Sequence, residues 1–323
     1  MRFLKNFIIN FFFIFLSIFS ALLICELTLR IKHSIIPNYD IEMWKYAKQL
    51  KKKDFNSKIG HVHIKNKSAL LQNVEIEINN HGQRDIYLSN NILKKYDKRF
   101  LILGSSIALG WGVSKENTFS NVLNKISKSN DKNWIFVNGG IGNYNTERYV
   151  NNYLKNWKQL DFTDIVVHFF VNDTELIKPN KTNIFTQHTH LGVVMWRLFN
   201  SYKASLKKEN IIEYYKEKYD DKYLGFQIAK KELANLKKHC DLKKINCTIV
   251  LMPDIHKLTP YNLFFINEKI SLLSKELDIR YFDLLPALKN IEQAKLWNKY
   301  QDPHPNSYGH EIIAKEMYTF LSK

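Results

Sequence analysis

The sequence predicts an α/β fold in which helices cover both faces of a parallel sheet. Along residues 99–323, short and strongly apolar segments alternate with amphipathic segments of helical length. This alternation is typical of parallel sheets, because each crossover helix must pack on a face of the sheet. The chain has 323 residues, 45% of them hydrophobic and 14% aromatic, which suits one large α/β domain with additions.

The chain begins with a segment that is long and apolar enough to cross a membrane. Residues 7–25 are interrupted only by Asn10, Ser17 and Ser20, and at ~1.5 Å per residue they extend roughly 28 Å. No small residue of a signal-peptidase site precedes Cys25. We predict an uncleaved signal anchor within residues 1–30, with the catalytic domain outside the cytoplasm. Basic residues stand on both sides of the segment, so charge counting leaves its orientation open.

Residues 31–98 form a polar, basic approach to the main domain, with a weak strand pattern at residues 74–78. Residues 44–73 carry eight lysines and one acidic residue. This stretch fits a juxtamembrane patch that faces anionic headgroups, and it fits a solvated linker equally well. The whole chain has 48 basic and 31 acidic residues, for a net charge of +17. It lacks zinc-ligand spacing, a helix-turn-helix pattern and an arginine-rich tract, so we expect no nucleic-acid partner.

Five strands and five helices are predicted in residues 99–323. The opening strand starts at Arg99 and is apolar throughout, as expected of a strand buried on both faces. The later strands are predicted at 134–137, 164–171, 247–252 and 280–284, and the helices at 115–127, 146–157, 226–239, 263–277 and 307–321.

Residues 174–225 are too long for an ordinary loop between a strand and a helix. Because long insertions at the carboxyl edge of a sheet often cover a site, we predict a lid or a substrate-binding surface. His188 and His190 within it suit metal ligation only with further ligands, and a hydrogen-bonded or solvated pair fits them better.

Cys240 and Cys247 flank a short loop and could pair in an oxidising compartment, although two buried thiols are the simpler interpretation.

Four polar stretches are predicted at the carboxyl edge of the sheet or just before the last helix. The opening strand ends at Gly104-Ser105-Ser106, where a hydroxyl can be presented as a nucleophile. The next strands end at a glycine-rich loop that contains Gly140 and at Asn172-Asp173. Each stretch has a plain structural interpretation as a turn or a helix cap. Together they supply hydroxyl, backbone and amide groups at the edge where α/β proteins place their sites.

The fourth stretch is Asp302-Pro303-His304-Pro305. A residue before proline is restricted to extended conformations, and alternate residues of an extended segment point the same way. The carboxylate of Asp302 should therefore lie beside the imidazole of His304. That pairing holds a histidine in one tautomer and stabilises it once it is protonated.

With these stretches in place, residues 82–323 resemble the SGNH (GDSL-type) hydrolase superfamily, and in particular its membrane-anchored bacterial members. The resemblance also covers Gly82-Gln83-Arg84-Asp85, which is similar to a stretch before the family's first block. It implies a flavodoxin-like three-layer α/β/α sandwich with a parallel five-stranded sheet. It further implies Ser106 as the nucleophile, His304 as the base oriented by Asp302, and an oxyanion hole formed by the Ser106 N–H, the Gly140 N–H and the Asn172 amide.

The sequence departs from the family pattern at three positions. Ser105 stands where the family has an acid, so Ser105 itself is a second candidate for the nucleophile. Phe170 replaces a glycine of the third block, and Gln301 occupies the usual position of the catalytic acid, which weakens the assignment of Asp302.

We therefore predict a serine-dependent esterase or O-acyltransferase that needs no cofactor or metal and acts on an O-acetylated glycan or a lipid ester of the cell envelope. One alternative is an inactive domain of the same fold that binds an envelope glycan or a partner protein. Another is metal-dependent hydrolysis through Asp302, His304 and His310.

Overall fold

A computed structural model describes residues 2–177, 184–206, 210–299 and 302–323. The chain divides into two compact units. The smaller comprises residues 1–45 and 180–209, and the larger comprises residues 46–179 and 210–323. The domain boundaries expected from the sequence, after residues 30 and 98, stay predictions.

The larger unit is built on a five-stranded parallel sheet, which confirms the predicted fold class. Its strand order is β6-β5-β7-β8-β9, with β5 at Lys98–Gly104, β6 at Trp134–Gly140, β7 at Asp164–Phe170, β8 at Asn246–Met252 and β9 at Arg280–Asp283. In register, Gly104 of β5 lies beside Gly140 of β6 on one side and His168 of β7 on the other. The carboxyl ends of the three strands that carry the predicted site therefore adjoin one another.

Helices pack on both faces of this sheet. The larger unit contains α3 at Asn90–Leu93, α4 at Ser106–Leu109, α5 at Phe119–Ser129, α6 at Thr146–Asn152, α9 at Ile211–Lys218, α10 at Leu224–Lys243, α11 at Phe264–Glu276, α12 at Leu285–Leu288 and α13 at Ser307–Leu321. Phe100 and Ile102 of β5 belong to the core on one face, whereas Leu101 and Leu103 belong to the core on the other. This division explains the unbroken apolar run, because a strand covered on both faces buries every side chain.

Two predicted helices include residues that adopt another helical form in the structure. The chain is extended at Thr118, so α5 starts at Phe119 after a 3₁₀ turn at Lys115–Asn117. The segment predicted as one helix over 146–157 is α-helical to Asn152 and continues as a π-helical turn at Tyr153–Trp157. Neither change moves a predicted site residue.

Small antiparallel pairs complete the larger unit. They are β1 at Lys51–Lys53 with β2 at His61–His63, β3 at Lys67–Leu71 with β4 at Val74–Ile78, and β10 at Trp297–Lys299 with β11 at Asp302–Pro305. The weak strand pattern at residues 74–78 is thus β4. The basic stretch expected to be a juxtamembrane patch or a linker instead contributes strands to the folded unit that carries the sheet.

The smaller unit is helical. It contains α1 at Arg2–Ile35, the start of α2 (Tyr39–Leu50), α7 at Ile184–His188 and α8 at His190–Leu206. α1 is longer than the predicted apolar segment, and by length and composition it could cross a membrane. The side chains of its most apolar window are not buried. Of the predicted insertion, residues 178–183 and 207–209 lie outside the described residues, and its role as a lid stays a prediction.

The cysteines are free thiols. Cys240 and Cys247 are buried, and Cys25 is exposed on α1. The Cys247 thiol contacts that of Cys240, and this contact together with burial raises the pKa of Cys247 above its ordinary value.

Candidate active site

Ser106 is the first residue of α4, directly after the carboxyl end of β5. The turn between them requires a glycine at position 104. A Cβ atom there would lie 2.8 Å from Cβ of Ala108 and 3.0 Å from the carbonyl oxygen of His168. Gly104 therefore allows α4 to begin close against the sheet, which brings Ser106 to its edge.

Ser106 heads a hydrogen-bonded chain of three side chains. Its Oγ lies 2.8 Å from Nε2 of His304, and Nδ1 of His304 lies 2.5 Å from Oδ1 of Asp302. Asp302 is 1% exposed, whereas the His304 side chain keeps 15% of its surface exposed. The buried carboxylate faces the imidazole nitrogen that points away from the serine, so the other nitrogen is left to accept the serine proton.

The pair of Asp302 and His304 has the geometry that the sequence predicts. β11 is extended and pairs antiparallel with β10, so the two side chains project to the same side. α13 follows at once, and the Asn306 side chain caps it by accepting the Gly309 N–H at 3.0 Å. Gln301, the family's usual acid position, lies outside the described residues.

Asn298, which sequence reasoning missed, contacts the second oxygen of the carboxylate. Its Nδ2 donates to Oδ2 of Asp302 at 3.3 Å, while the His304 backbone N–H donates to Oδ1 at 3.4 Å. A Cβ at Gly112 would lie 1.9 Å from that same Nδ2 atom, so the Asn298 amide needs a glycine beside it. Nothing in the local sequence around Asn298 signals this role, because its partner lies on the neighbouring strand β11.

The two candidate serines differ in their surroundings. Ser105 is 5% exposed and lies in the turn before α4, where its carbonyl oxygen accepts the Leu109 N–H at 3.0 Å. Ser106 is half-buried, and it is the Ser106 hydroxyl that contacts His304. This geometry favours Ser106 as the nucleophile.

The predicted oxyanion donors are not equally free. The Ser106 N–H is at the first position of α4, where helical N–H groups have no partner within the helix. The Gly140 N–H already donates to Oδ1 of Asn138 at 3.0 Å. A Cβ at Gly140 would lie 2.1 Å from the backbone nitrogen of Leu109, so this glycine is needed for α4 to pack on β6. Its role as an oxyanion donor stays a prediction, and it requires exchange of the bond to Asn138.

Asn172 and Asp173 occupy the turn after β7 in opposite environments. Asn172 is exposed. Asp173 is 1% exposed, and its carboxylate accepts the Phe170 N–H at 3.1 Å. Burial raises the pKa of Asp173 well above its ordinary value. Asp173 thus stabilises the turn, and the exposed Asn172 amide is available for a ligand.

A cluster from the basic stretch holds the loop that follows β6, residues 141–145. The Gly142 N–H donates to Oη of Tyr46 at 2.9 Å, and the Gly142 carbonyl accepts from Nζ of Lys51 at 2.7 Å and from Nε2 of His61 at 3.1 Å. Arg148 Nη1 donates to Nδ1 of His61 at 3.2 Å, which makes His61 neutral with its proton on Nε2. Composition predicted a membrane patch or linker here and could not reveal these contacts.

Burial and neighbouring positive charge depress the pKa values of this cluster. Burial and then Arg148 lower the pKa of Lys51 to about 7. Burial, followed by Lys51 and Arg148, lowers the pKa of His61 to about 2. The loop that follows β6 is therefore held by a lysine whose pKa is lowered to about 7.

The Gly82–Asp85 stretch serves the same edge of the sheet. Arg84 is 1% exposed, and its guanidinium donates to the carbonyl oxygens of Leu109 at 2.9 Å, Gly110 at 2.6 Å and Val113 at 2.8 Å. Asp85 accepts the Asn138 N–H at 3.1 Å, and burial raises the pKa of Asp85 to about 6. These residues stabilise two segments next to the candidate nucleophile, the chain that follows it at residues 109–113 and the neighbouring strand β6.

His310, named in the metal-dependent alternative, is engaged elsewhere. Its Nδ1 accepts the Phe119 N–H at 3.1 Å, and its ring stacks on that of Phe119 at 5.6 Å between centroids. Within the described ranges, no three His, Cys, Asp or Glu side chains lie close enough together to hold a metal ion. The donor set of that alternative is therefore not assembled.

His168, beneath α4, provides a test of this packing. It is fully buried, it stacks on Phe119 at 4.9 Å, and neither ring nitrogen has a hydrogen-bond partner in the part of the chain that the structure describes. Burial lowers the pKa of His168 to about 4, whereas an unfolded histidine titrates near ~6.5. Between these pH values the unfolded chain binds the additional proton, so acidification destabilises the fold through this group.

We expect His168→Leu to remove this pH dependence. Over the whole interval the parent should lose about 3 kcal/mol more free energy of unfolding than the variant, because leucine does not titrate. Urea titrations of both proteins at several pH values between neutral and mildly acidic measure the difference. Parallel pH profiles for the two proteins would show that His168 is not kept neutral by burial.

No family model and no curated protein matches the chain. Among solved structures, the psychrotrophic esterase EstA from Pseudoalteromonas sp. is 13% identical with a TM-score of 0.44, and the match covers 70% of this chain and 100% of that one. A lipolytic protein of the G-D-S-L family from Veillonella parvula is 15% identical with a TM-score of 0.43, covering 70% and 99%.

A third match is a two-domain esterase active on acetylated mannans. It is 15% identical with a TM-score of 0.45, and the match covers 70% of this chain and 49% of that esterase. These three structures are two esterases and a lipolytic protein of the G-D-S-L family.

Proposed function

We propose that this protein is a serine ester hydrolase with Ser106 as nucleophile, His304 as general base and Asp302 as the residue that orients it. The hydrogen-bonded chain from Ser106 Oγ through His304 to the buried Asp302 carries the proposal. It supplies a nucleophile, a base within reach and a third group that orients the base.

The first half of the reaction transfers the acyl group to the enzyme. His304 Nε2 accepts the Ser106 proton while Oγ attacks the ester carbonyl carbon. The tetrahedral intermediate expels the alcohol, which takes that proton from His304, and an acyl ester remains on Ser106. The Ser106 N–H and the exposed Asn172 amide are the best supported donors to the oxyanion.

The second half of the reaction releases the acyl group. Water gives a proton to His304 Nε2 as it attacks the acyl ester. The resulting tetrahedral intermediate expels Ser106 Oγ, which takes that proton from His304, so the carboxylic acid is released and Ser106 is restored. An alcohol in place of water would make the same site an O-acyltransferase. The apolar segment at residues 7–25 supports a membrane-anchored protein. We further propose that the site lies outside the cytoplasm and that its substrate is an O-acetylated glycan or a lipid ester of the cell envelope.

Covalent labelling of the full-length protein in detergent tests the proposal. A fluorophosphonate probe should modify the native protein, and mass spectrometry should locate the adduct on the peptide that contains Ser105 and Ser106. Heat-denatured protein serves as the control, since an isolated serine hydroxyl is a poor nucleophile. A native protein that neither takes the label nor hydrolyses p-nitrophenyl acetate would overturn the proposal in favour of an inactive domain that binds a glycan or a protein.

Acetate release in the presence of an added alcohol separates the two activities. With p-nitrophenyl acetate as donor, a hydrolase releases free acetate, whereas an acyltransferase forms the acetyl ester of the alcohol. The ratio of the two products, measured by chromatography, distinguishes them.

A further inference from the structure

The helix α8 of the smaller unit exposes a row of large apolar side chains. Its exposed members are Met195 at 51%, Trp196 at 41%, Leu198 at 64%, Phe199 at 57% and Tyr202 at 63%. At about 100° per residue, positions 195, 198, 199 and 202 fall within an arc of about 100°, and Trp196 lies about 60° beyond one edge of it. We call this surface the apolar face of α8.

The other side of α8 is anchored within the smaller unit. Val193 is buried, and the Arg197 guanidinium lies 3.2 Å from the Asp40 carboxylate at the start of α2. The helix is therefore amphipathic, with its ionic contacts opposite the apolar face. An exposed face of this kind requires an apolar partner.

The first turn of α8 is held against α1 at Glu26. The Glu26 carboxylate accepts the N–H groups of His190 at 3.0 Å and Leu191 at 2.8 Å, and so caps the first turn of α8. Arg30 binds the same carboxylate at 2.7 Å. Glu26 follows directly on Cys25, the last residue of the apolar run. α8 thus begins beside the last part of α1, where exposed apolar side chains continue to Leu27, Ile31 and Ile35 among charged ones.

We propose that α8 lies in the membrane–water interface, with its apolar face in contact with lipid. This inference rests on the membrane anchoring proposed above for α1. The apolar window of α1 is unburied, so the unit that carries α8 already presents a surface for lipid at the neighbouring residues. Trp196 and Tyr202 are side chains typical of the interface, and Lys203 suits anionic headgroups.

The contact to Asp40 favours the interface over the hydrocarbon core. Asp40 lies beyond the end of α1 at Ile35, and α8 reaches it within two turns of Glu26. α8 therefore runs beside residues 26–40, where charged side chains such as Arg30 alternate with exposed apolar ones such as Ile31. Lys203 lies with its Nζ 4.3 Å from the centre of the Phe199 ring, as expected of a lysine whose stem covers apolar surface while its charge stays in water.

Site-specific labelling of the full chain in lipid nanodiscs tests the inference. Single-cysteine variants carry an environment-sensitive fluorophore at Leu198→Cys on the apolar face, or at the matched control Ser201→Cys, which is exposed outside the arc. Both are made with Cys25→Ser, and the buried Cys240 and Cys247 remain. Brominated lipid chains quench fluorophores that touch them. We expect about twofold or stronger quenching at position 198 and little change at position 201.

Three further readouts identify the source of a failure. A fluorophore on the native Cys25 reports whether α1 is in the bilayer, so quenching there without quenching at position 198 overturns the interfacial assignment of α8 alone. A fluorophore at position 198 that is shielded from water and yet not quenched by lipid would show that protein, such as a second copy of the chain, covers the face. Fluorophosphonate labelling of each variant reports the proposed active site independently.

Discussion

Ser106→Ala should lower kcat for p-nitrophenyl acetate by at least ~10⁴-fold and abolish fluorophosphonate labelling, because it removes the attacking oxygen. The Ser106 hydroxyl is the one that contacts His304, at 2.8 Å. Initial rates and intact-protein mass spectra measure the two effects. Thermal unfolding of the variant confirms that the fold is retained.

Ser105→Ala is the matched control for this result. Ser105 is buried in the turn before α4, and its loss should change kcat by no more than about threefold. If Ser106→Ala keeps its labelling and Ser105→Ala loses it, the nucleophile is Ser105. In that case Ser105, which stands where the family that the sequence resembles has an acid, would itself be the attacking residue.

Asp302→Asn should lower kcat by roughly 10³-fold to 10⁴-fold with little effect on the fold. Asn298 donates a hydrogen bond to Oδ2 of Asp302, so an asparagine at position 302 would place its carbonyl oxygen there and turn its NH₂ group to His304. The imidazole would then keep its proton on Nε2, where it cannot accept the serine proton. The pH profile of kcat/KM and the rate with p-nitrophenyl acetate measure the loss.

A compensating variant tests this explanation. In the double variant Asn298→Asp with Asp302→Asn, the new carboxylate accepts from the NH₂ group of residue 302 and turns its carbonyl oxygen back to His304. We expect at least about tenfold recovery of kcat over Asp302→Asn alone. More than a tenth of the parent activity in Asp302→Asn would show that another group orients His304.

The parallel sheet was predictable because burial leaves a direct mark on composition. Each central strand is covered on both faces, so its residues are apolar without alternation, and the crossover helices show one apolar face. The strand bounds differ from those expected by only a few residues, as β6 shows by continuing to Gly140. The pairing of Asp302 with His304 was also predictable, since two prolines restrict the local backbone.

Contacts between segments far apart in the chain were not predictable in this way. Tyr46, Lys51 and His61 bind Gly142 across 81 to 96 residues, and in the sequence they are part of a lysine-rich stretch like any solvated one. Lysine is common on surfaces, so its presence does not reveal that one Nζ is buried against a carbonyl oxygen.

The sequence by itself determined the strand and helix pattern, the apolar N-terminal segment and the short stretches that end at the edge of the sheet. The tertiary structure alone decided which serine faces His304, which atom Asn298 binds and that the Gly140 N–H is already occupied by Asn138. The physical reason is the separation along the chain over which each effect acts. Periodicity and proline geometry act over a few residues, whereas a hydrogen bond between distant segments depends on how the topology and register bring them together.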